Sequence, residues 1–540
     1  MEHCLPRREH RRAPVLFVAA LLAACSTASY TADADREVGD LLGKAEHDVL
    51  GDRREWIVQP QAPEPAKAAS PDATQGSSPA PTEPAPLVQT AESYDLQRAL
   101  GTAVRLNREF LVRRESLYRQ GLSASFTRFQ FGPQFASVVS LLWPDGEGAA
   151  SQPQSSVGLS ARQILPTGGT LGVSGSVDGL WPYGQGAGDN SYGSSLGVSL
   201  TQPLLRGAGY EVSHEALTQT ERELVYAIRD FELFRETFSI QIAQRFFELA
   251  SQRKTLANED ANYEGAVFDR GKAEALRQVG RNAEQEVFRA RRREIEAKDQ
   301  LINARADYDR AVDQFKILLG LPTTAVIELA DPDPPYLPVR IDADSAVAAA
   351  RHNRLDLITD RQRLEDSERA LRIAENGLLP DLSLVANYGL SGQGTEIDRA
   401  SPDRWGSSVG VQFTVPLQQK SERNNYRSAQ ISLEQARRAL ALQEDQLDLD
   451  IRDALRRLKS IEERIALQEE QIVQEQAAVT VTQIRYESGK LENRDLLEAR
   501  QALVNAQNAL IRLKVEHFVA RLTLQKDLGI FFVDDKGMWR

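Results

Sequence analysis

Cysteine and methionine occur only twice each in 540 residues, and histidine six times. None of these is spaced as a ligand set, which argues against a catalytic zinc, a haem or an iron–sulfur centre. Long apolar runs are missing too. The longest, Val15 to Ala24, is half of the roughly 20 residues a membrane-spanning helix needs. Positive charge is in short supply: 65 Lys and Arg stand against 77 Asp and Glu, a net −12, so no basic stripe is available for a nucleic-acid backbone. There is no Ser/His/Asp arrangement, Walker loop, HEXXH pair or carboxylate pair in a catalytic context. The charges lie along helical patterns as solvated faces, and no enzyme is expected.

The N-terminus reads as an export address. Arg7, Arg8, Arg11 and Arg12 precede the apolar run, which ends in Leu22-Ala23-Ala24-Cys25. Residues 1–24 have the charge, length and small terminal residues of a signal peptide. The last four residues resemble a bacterial lipobox, which implies lipidation of Cys25 as the first mature residue. Cys4 would leave with the signal. Ser26 rather than Asp after the cysteine resembles lipoproteins sorted to the outer membrane, and a triacylated cysteine suffices for stable anchoring. Residues 25–91 then form the lipidated N-terminus and a tether, with eight prolines from Pro60 to Pro86 among Ala, Ser, Gln and Thr. Such a composition buries too little apolar surface to order itself.

Beyond the tether the chain is written twice. YGSSLGVSLTQPL at 192–204 matches WGSSVGVQFTVPL at 405–417 in eight of 13 positions. Gly280 and Gly320 are 40 residues apart, as are Gly489 and Gly529, and Arg105-Leu106-Asn107-Arg108 parallels Arg351-His352-Asn353-Arg354. The repeats are 92–330, with a helix, a β-hairpin over 123–203 and a long helix pair over 210–320, and 331–530, with a helix over 343–378, a β-hairpin over 381–416 and a helix pair over 418–528. Residues 531–540 form a tail.

Val409, Val411, Phe413 and Val415 alternate with small and polar residues, as do Leu196, Val198 and Leu200. A soluble sandwich gives the same period of two. Flanking Trp143, Trp181, Tyr183 and Trp405 and the export address point instead to strands of an outer-membrane barrel. No proline interrupts 204–321 or 417–540. Steps of three and four from Val287 (Ala290, Glu294, Ala297, Leu301, Ala304, Tyr308, Ala311, Phe315, Leu318) and from Leu496 (Ala499, Leu503, Ala506, Leu510, Leu513, His517, Ala520, Leu524) trace coiled-coil seams. At 1.5 Å per residue, Pro416 to Gly489 would reach ~110 Å, and the shorter return and preceding helices together would complete a two-column wall.

These features, with SLTQPLLRG at 199–207, NGLLPDLSL at 376–384 and RYESGKLENRDLLEAR at 485–500, resemble the TolC-type outer-membrane efflux protein family in its lipoprotein branch, over roughly residues 93–530. The resemblance implies an α+β membrane protein: a homotrimer in which each protomer supplies four strands to a 12-stranded outer-membrane barrel, continued by a long periplasmic α-helical coiled-coil barrel. It implies passive conduction out of the cell in a tripartite efflux or type I secretion system, with a periplasmic adaptor and an inner-membrane pump as partners, lipid as the only attached group, and no cofactor or metal. By position, Val279, Gly280 and Arg281 with Ser488, Gly489 and Lys490 fall at the adaptor-docking helix tips, where a reversal needs glycine's tolerance of positive φ. Glu286 and Asp495 fall where family members place constricting carboxylates. Six of them in a trimer would favour cations, although a first-turn acid also complements a helix N-terminus. Leu491 stands where family members can carry a basic gate residue.

The first strand region, Pro133 to Pro203, is about twice as long as Pro380 to Pro416 and contains a turn signal, QILPTGG at 163–169. Either the external loops are enlarged over a 12-stranded barrel, or a further hairpin joins it; the first is the expectation. The run Gly184 to Gly188 is read as a loop. The rival function is a periplasmic coiled-coil adaptor or scaffold lipoprotein, which leaves the duplicated strands unexplained.

Overall fold

The computed structural model describes residues 27–51, 92–143, 152–182, 189–280, 283–330, 334–488, 490–491 and 493–539. The signal peptide, Cys25, the tether, Tyr183, the Gly184 to Gly188 run, Arg281 and Gly489 lie outside them. In chain order the elements are α1 Thr27–Leu50, β1 Glu92–Tyr94, α2 Leu96–Leu106, α3 Arg108–Phe131, β2 Gln134–Leu142, β3 Gln154–Ile164, β4 Thr170–Leu180, β5 Ser191–Pro203, α4 Glu215–Gln278, α5 Glu284–Leu319, β6 Ile327–Leu329, α6 Ala343–Asn353, α7 Leu355–Asn376, β7 Asp381–Gly394, β8 Arg404–Thr414, α8 Lys420–Glu487 and α9 Asn493–Asp527. The chain divides into two compact units. One takes residues up to 62, 115–228 and 361–440; the other takes 63–114, 229–360 and 441–540.

The first unit holds a six-stranded antiparallel sheet in the order β2-β3-β4-β5-β7-β8. This corrects the expected four strands per protomer. The extra length of the first region is not loop: β3 and β4 pair over eleven positions, from Gln154 opposite Leu180 to Ile164 opposite Thr170. Their turn is closed by Gly169 accepting from Leu165 N–H at 2.7 Å, with Gly168 at φ +89°. Both strands alternate apolar with small residues, and the ladder between them pairs their facing backbone groups. The 123–203 hairpin boundary also shifts, because α3 stays helical to Phe131 before β2 begins.

On α3, Gly121 admits α1 at close range: a Cβ there would sit 2.7 Å from Val38 Cγ1. Val38 and Leu42 are fully buried in this contact, and Ser125 Oγ donates to Glu37 at 2.7 Å. Within the same unit the start of α4 is tied to α7. Tyr226 donates to Asp366 at 2.6 Å, Arg222 lies 2.5 Å from that carboxylate, and Arg369 donates to Glu215 at 2.6 Å.

In the second unit the helix seams carry the packing. Along α5 the positions from Val287 to Leu318 at steps of three and four are buried or half-buried, whereas Ile295, Ile302 and Ile317 off the seam are exposed. The seam of α9 is likewise covered, with Leu496, Ala506, Leu513, His517 and Leu524 buried. His517 is a polar interruption: its Nε2 lies 3.3 Å from Glu462, and its ring packs 4.8 Å from that of Tyr336. The repeat reappears in two matching junctions. The single extended residue Asn107 (ψ 127°) separates α2 from α3, and Arg354 (ψ 119°) separates α6 from α7. The helix expected over 343–378 is therefore broken there. Asn107 donates through Nδ2 to the Leu318 carbonyl at 2.7 Å and accepts from Phe110 N–H at 2.9 Å. Each return helix ends on a left-handed glycine pressed against a junction, Gly320 on Leu106 and Asn107, Gly529 on Asn353.

The tail is packed rather than trailing. Arg235, paired with Glu232 at 2.8 Å, donates to the carbonyls of Val533 and Asp534 at 3.3 and 2.6 Å, and Trp539 lies on Phe531 and Phe518. Beside this buried pair, burial first and Glu232 second push the Glu236 carboxyl up to about 8 from its ordinary 4.5, although Lys526 and Arg235 oppose the shift. A raised folded-state value favours folding while the group is protonated. Its contribution is greatest below about pH 4.5 and is lost as pH rises toward 8. Glu236→Gln should therefore flatten the loss of thermal stability across this window in detergent. At pH 8.5 the gain should be on the order of 3 kcal/mol, and an unchanged pH profile would refute the assignment.

Candidate functional site: helix tips and the exposed sheet

The helix pairs α4/α5 and α8/α9 each reverse at one end. At the first reversal Gly280 takes φ +73° with its N–H on the Arg277 carbonyl at 2.9 Å, and open space surrounds the position of its missing Cβ. Val279 beside it is 67% exposed. At the second, Ser488 N–H donates to Ile484 at 3.1 Å and Lys490 N–H to Arg485 at 2.9 Å, a six-to-one closure of the helix end. Ser488 Oγ also donates to the Arg485 carbonyl at 2.9 Å.

Glu286 and Asp495 each lie in the first turn of a return helix. Glu286 is held by Arg289 one turn on, at 2.8 Å, and its Oε2 is buried without a hydrogen-bond partner among the described residues. Asp495 is half-buried, between exposed Arg494 and buried Leu496. Leu491, in the position of the absent basic residue, is half-buried.

The structure adds contacts that periodicity did not show. Asp269 of α4, only 4% exposed, accepts from Arg500 of α9 at 2.8 Å. Burial pushes its carboxyl up from the ordinary value, and Arg500 opposes the shift. Lys272 lies over the Tyr486 ring at 4.7 Å, Arg293 donates to Gln501, and Arg270 of α4 pairs with Glu294 of α5. The first three tie α4 and α5 to the α8/α9 pair, and the last ties α4 to α5. Apart from Glu294 these residues lie outside the heptad seams, and a charge such as Asp269 carries no mark of its partner 231 residues away.

The sheet presents two chemically distinct faces. Phe135, Ala161, Val173, Val198, Tyr388 and Ser407 form one row across all six strands. Neighbouring rows on that face add Val139, Leu159, Leu196, Leu200, Leu384, Val409, Val411 and Phe413, and no charged residue. This face is bare: Phe135 is 81% exposed, Trp405 71% and Val409 76%. A contiguous apolar surface of this kind marks a contact with membrane or protein. The opposite face carries Ser160, Ser174, Ser176, Ser195, Ser199, Asn387 and Ser408 with many glycines, and its charged residues are Arg162, Asp178, Asp381 and Arg404, all towards strand ends. No described helix is long and apolar enough to cross a membrane.

Comparisons with known proteins agree with this arrangement. Residues 346–529 match the family described as outer membrane efflux protein. The chain is 22% identical over 370 residues to outer membrane protein TolC of Escherichia coli (strain K12), covering 64% of this chain and 71% of that one. It is 26% identical over 371 residues to alkaline protease secretion protein AprF of Pseudomonas aeruginosa, covering 63% and 70%. Among solved structures, the outer-membrane channel OprN superposes with TM-score 0.61 at 18% identity, over 80% of this chain and 89% of that one. CusC superposes with TM-score 0.60 at 13% identity, over 85% and 99%. With the duplicated helix pairs and the two-faced sheet already in place, residues 346–529 carry the signature of the outer membrane efflux protein family, and most of the chain shares the fold of outer-membrane channels of known structure.

Proposed function

We propose that this protein is the outer-membrane exit duct of a tripartite efflux or type I secretion system, a passive conduit assembled from three copies. The observation that carries this reading is the bare apolar face of the sheet, backed by a face of serine and glycine. Lipid on one side and water on the other is the environment that satisfies both. The coiled-coil adaptor reading has no use for such a sheet. Cys25, lipidated, anchors the chain to the same membrane. The reversals at Val279 to Arg281 and Ser488 to Lys490 dock a periplasmic adaptor, through which an inner-membrane pump supplies the energy. The name of one relative, a protease secretion protein, and the description of the matching family, outer membrane efflux protein, support both kinds of pump.

Glu286 and Asp495 form the negatively charged constriction. In planar bilayers the detergent-extracted protein should conduct with a preference for cations, because clustered carboxylates raise the local cation concentration. Glu286→Gln combined with Asp495→Asn should lower that preference roughly threefold or more and remove block by divalent cations. A cation-selective channel unaffected by the pair would free these residues from the constriction. A protein that neither partitions with outer membrane nor conducts would overturn the duct and restore the adaptor reading.

A further inference from the structure

Among the described residues the sheet ends in two unpaired edges, β2 and β8. We propose that the membrane pore closes as an eighteen-stranded ring, with β8 of each copy pairing antiparallel to β2 of the next. This rests on the exit-duct reading and goes beyond it in strand number, partner edge and bore.

The hairpin made by β2 and β3 belongs in the wall. β2 has 9 residues and β3 has 11, paired at nine positions from Gln134 opposite Arg162 to Leu142 opposite Gln154. Tilted strands of about 9–11 residues cross a bilayer. The apolar row continues through this hairpin to the edge, where Phe135, Val139 and Leu141 share the lipid-suited face.

Strand directions supply the geometry. β2 leads away from α3 and β8 leads into α8, with six strands alternating between them. An even, wholly antiparallel sheet has edges that run in opposite directions, so the β8 edge of one copy fits the β2 edge of another without reversing the ladder. The contact joins two different edges, and such head-to-tail contacts generate rings. Neither edge is blunted. β2 carries no charge or proline, and β8 has only Arg404 at its end, whereas edges that stay in water are guarded by such residues. All of β8 is exposed, and in hydrocarbon an unpaired ladder edge is untenable. With strands ~4.8 Å apart and tilted ~40°, the backbone radius rises from ~12 Å for twelve strands to ~18 Å for eighteen.

The mature chain retains no thiol besides Cys25, so engineered cysteines report cleanly. Val409→Cys on β8 would be combined in turn with cysteine at each position from Ala136 to Leu141 on β2, and separately with Val173→Cys and Val177→Cys on β4. The expected result is a covalent trimer, without higher multimers, at alternate β2 positions and none with β4. Cryo-electron microscopy of the unmodified protein should count six strands per protomer. A trimer linked through β4 but not β2, or a threefold ring with four strands per protomer, would overturn the proposal and leave the exit duct intact. A soluble species without threefold symmetry or cross-links would overturn both.

Discussion

Val198→Arg is expected to abolish recovery of the protein from the outer-membrane fraction. Val198 lies mid-strand on β5, between Val173 and Tyr388 on the apolar face. An arginine on the lipid side of a barrel near the bilayer midplane costs about 2–4 kcal/mol. Three copies multiply this to about 6–12 kcal/mol, comparable to the whole stability of many folded domains. Asn387→Arg is the control. Asn387 adjoins Tyr388 in sequence but points to the opposite face, between Ser199 and Ser408, where water can hydrate the new charge. It should insert normally and alter conductance only. Equal behaviour of the two variants, by membrane fractionation and heat-modifiable mobility, would contradict the assignment of lipid and water to the two faces.

Gly320→Val should cost more than any other glycine substitution at a helix end. A left-handed backbone costs a non-glycine residue about 1–2 kcal/mol, and a Cβ at this site would lie 2.2 Å from the Leu106 carbonyl oxygen and 2.9 Å from the Asn107 nitrogen. Relieving that overlap means parting α5 from the junction that Asn107 caps. The combined loss should exceed about 3 kcal/mol, enough to remove assembled trimer. Gly280→Ala makes the contrast. Its φ of +73° is similar, but nothing lies within 4 Å of its Cβ position, so only the backbone term remains, at about 1 kcal/mol. Thermal unfolding of the two variants in detergent separates strain from close approach, and equal losses would remove the close approach as a cause.

The coiled-coil seams and the helix reversals were legible because their signals are local and repeated. The steps from Val287 and Leu496 are periodic over many turns, and glycine at Gly280 and Gly320 meets a backbone need that any sequence must satisfy. The strand count was not legible. Val157, Leu159, Val173 and Val177 alternate with Ser and Gly, but whether such stretches join a wall or stand outside it depends on pairing, which is non-local. The junctions at Asn107 and Arg354 were visible as a repeated motif, yet the break itself is a single extended residue that helix propensity does not reveal. The Asp269–Arg500 pair and the raised Glu236 carboxyl depend on burial between helices far apart in the chain, and one residue's type says nothing of that.

The interleaving of the two units bears on the order in which the protein can fold. Each half of the duplicated chain contributes to both units, and the second unit draws on residues 63–114 as well as 441–540. The junction at Asn107 waits for Gly320, and the bracket at Arg235 waits for Val533 and Asp534. Domains ordinarily fold one after another as the chain emerges during synthesis, but here the first unit needs residues as late as 361–440 and the second needs 441–540. Neither core can therefore close while only the first repeat has been made, and the two halves of the duplication fold together rather than in turn.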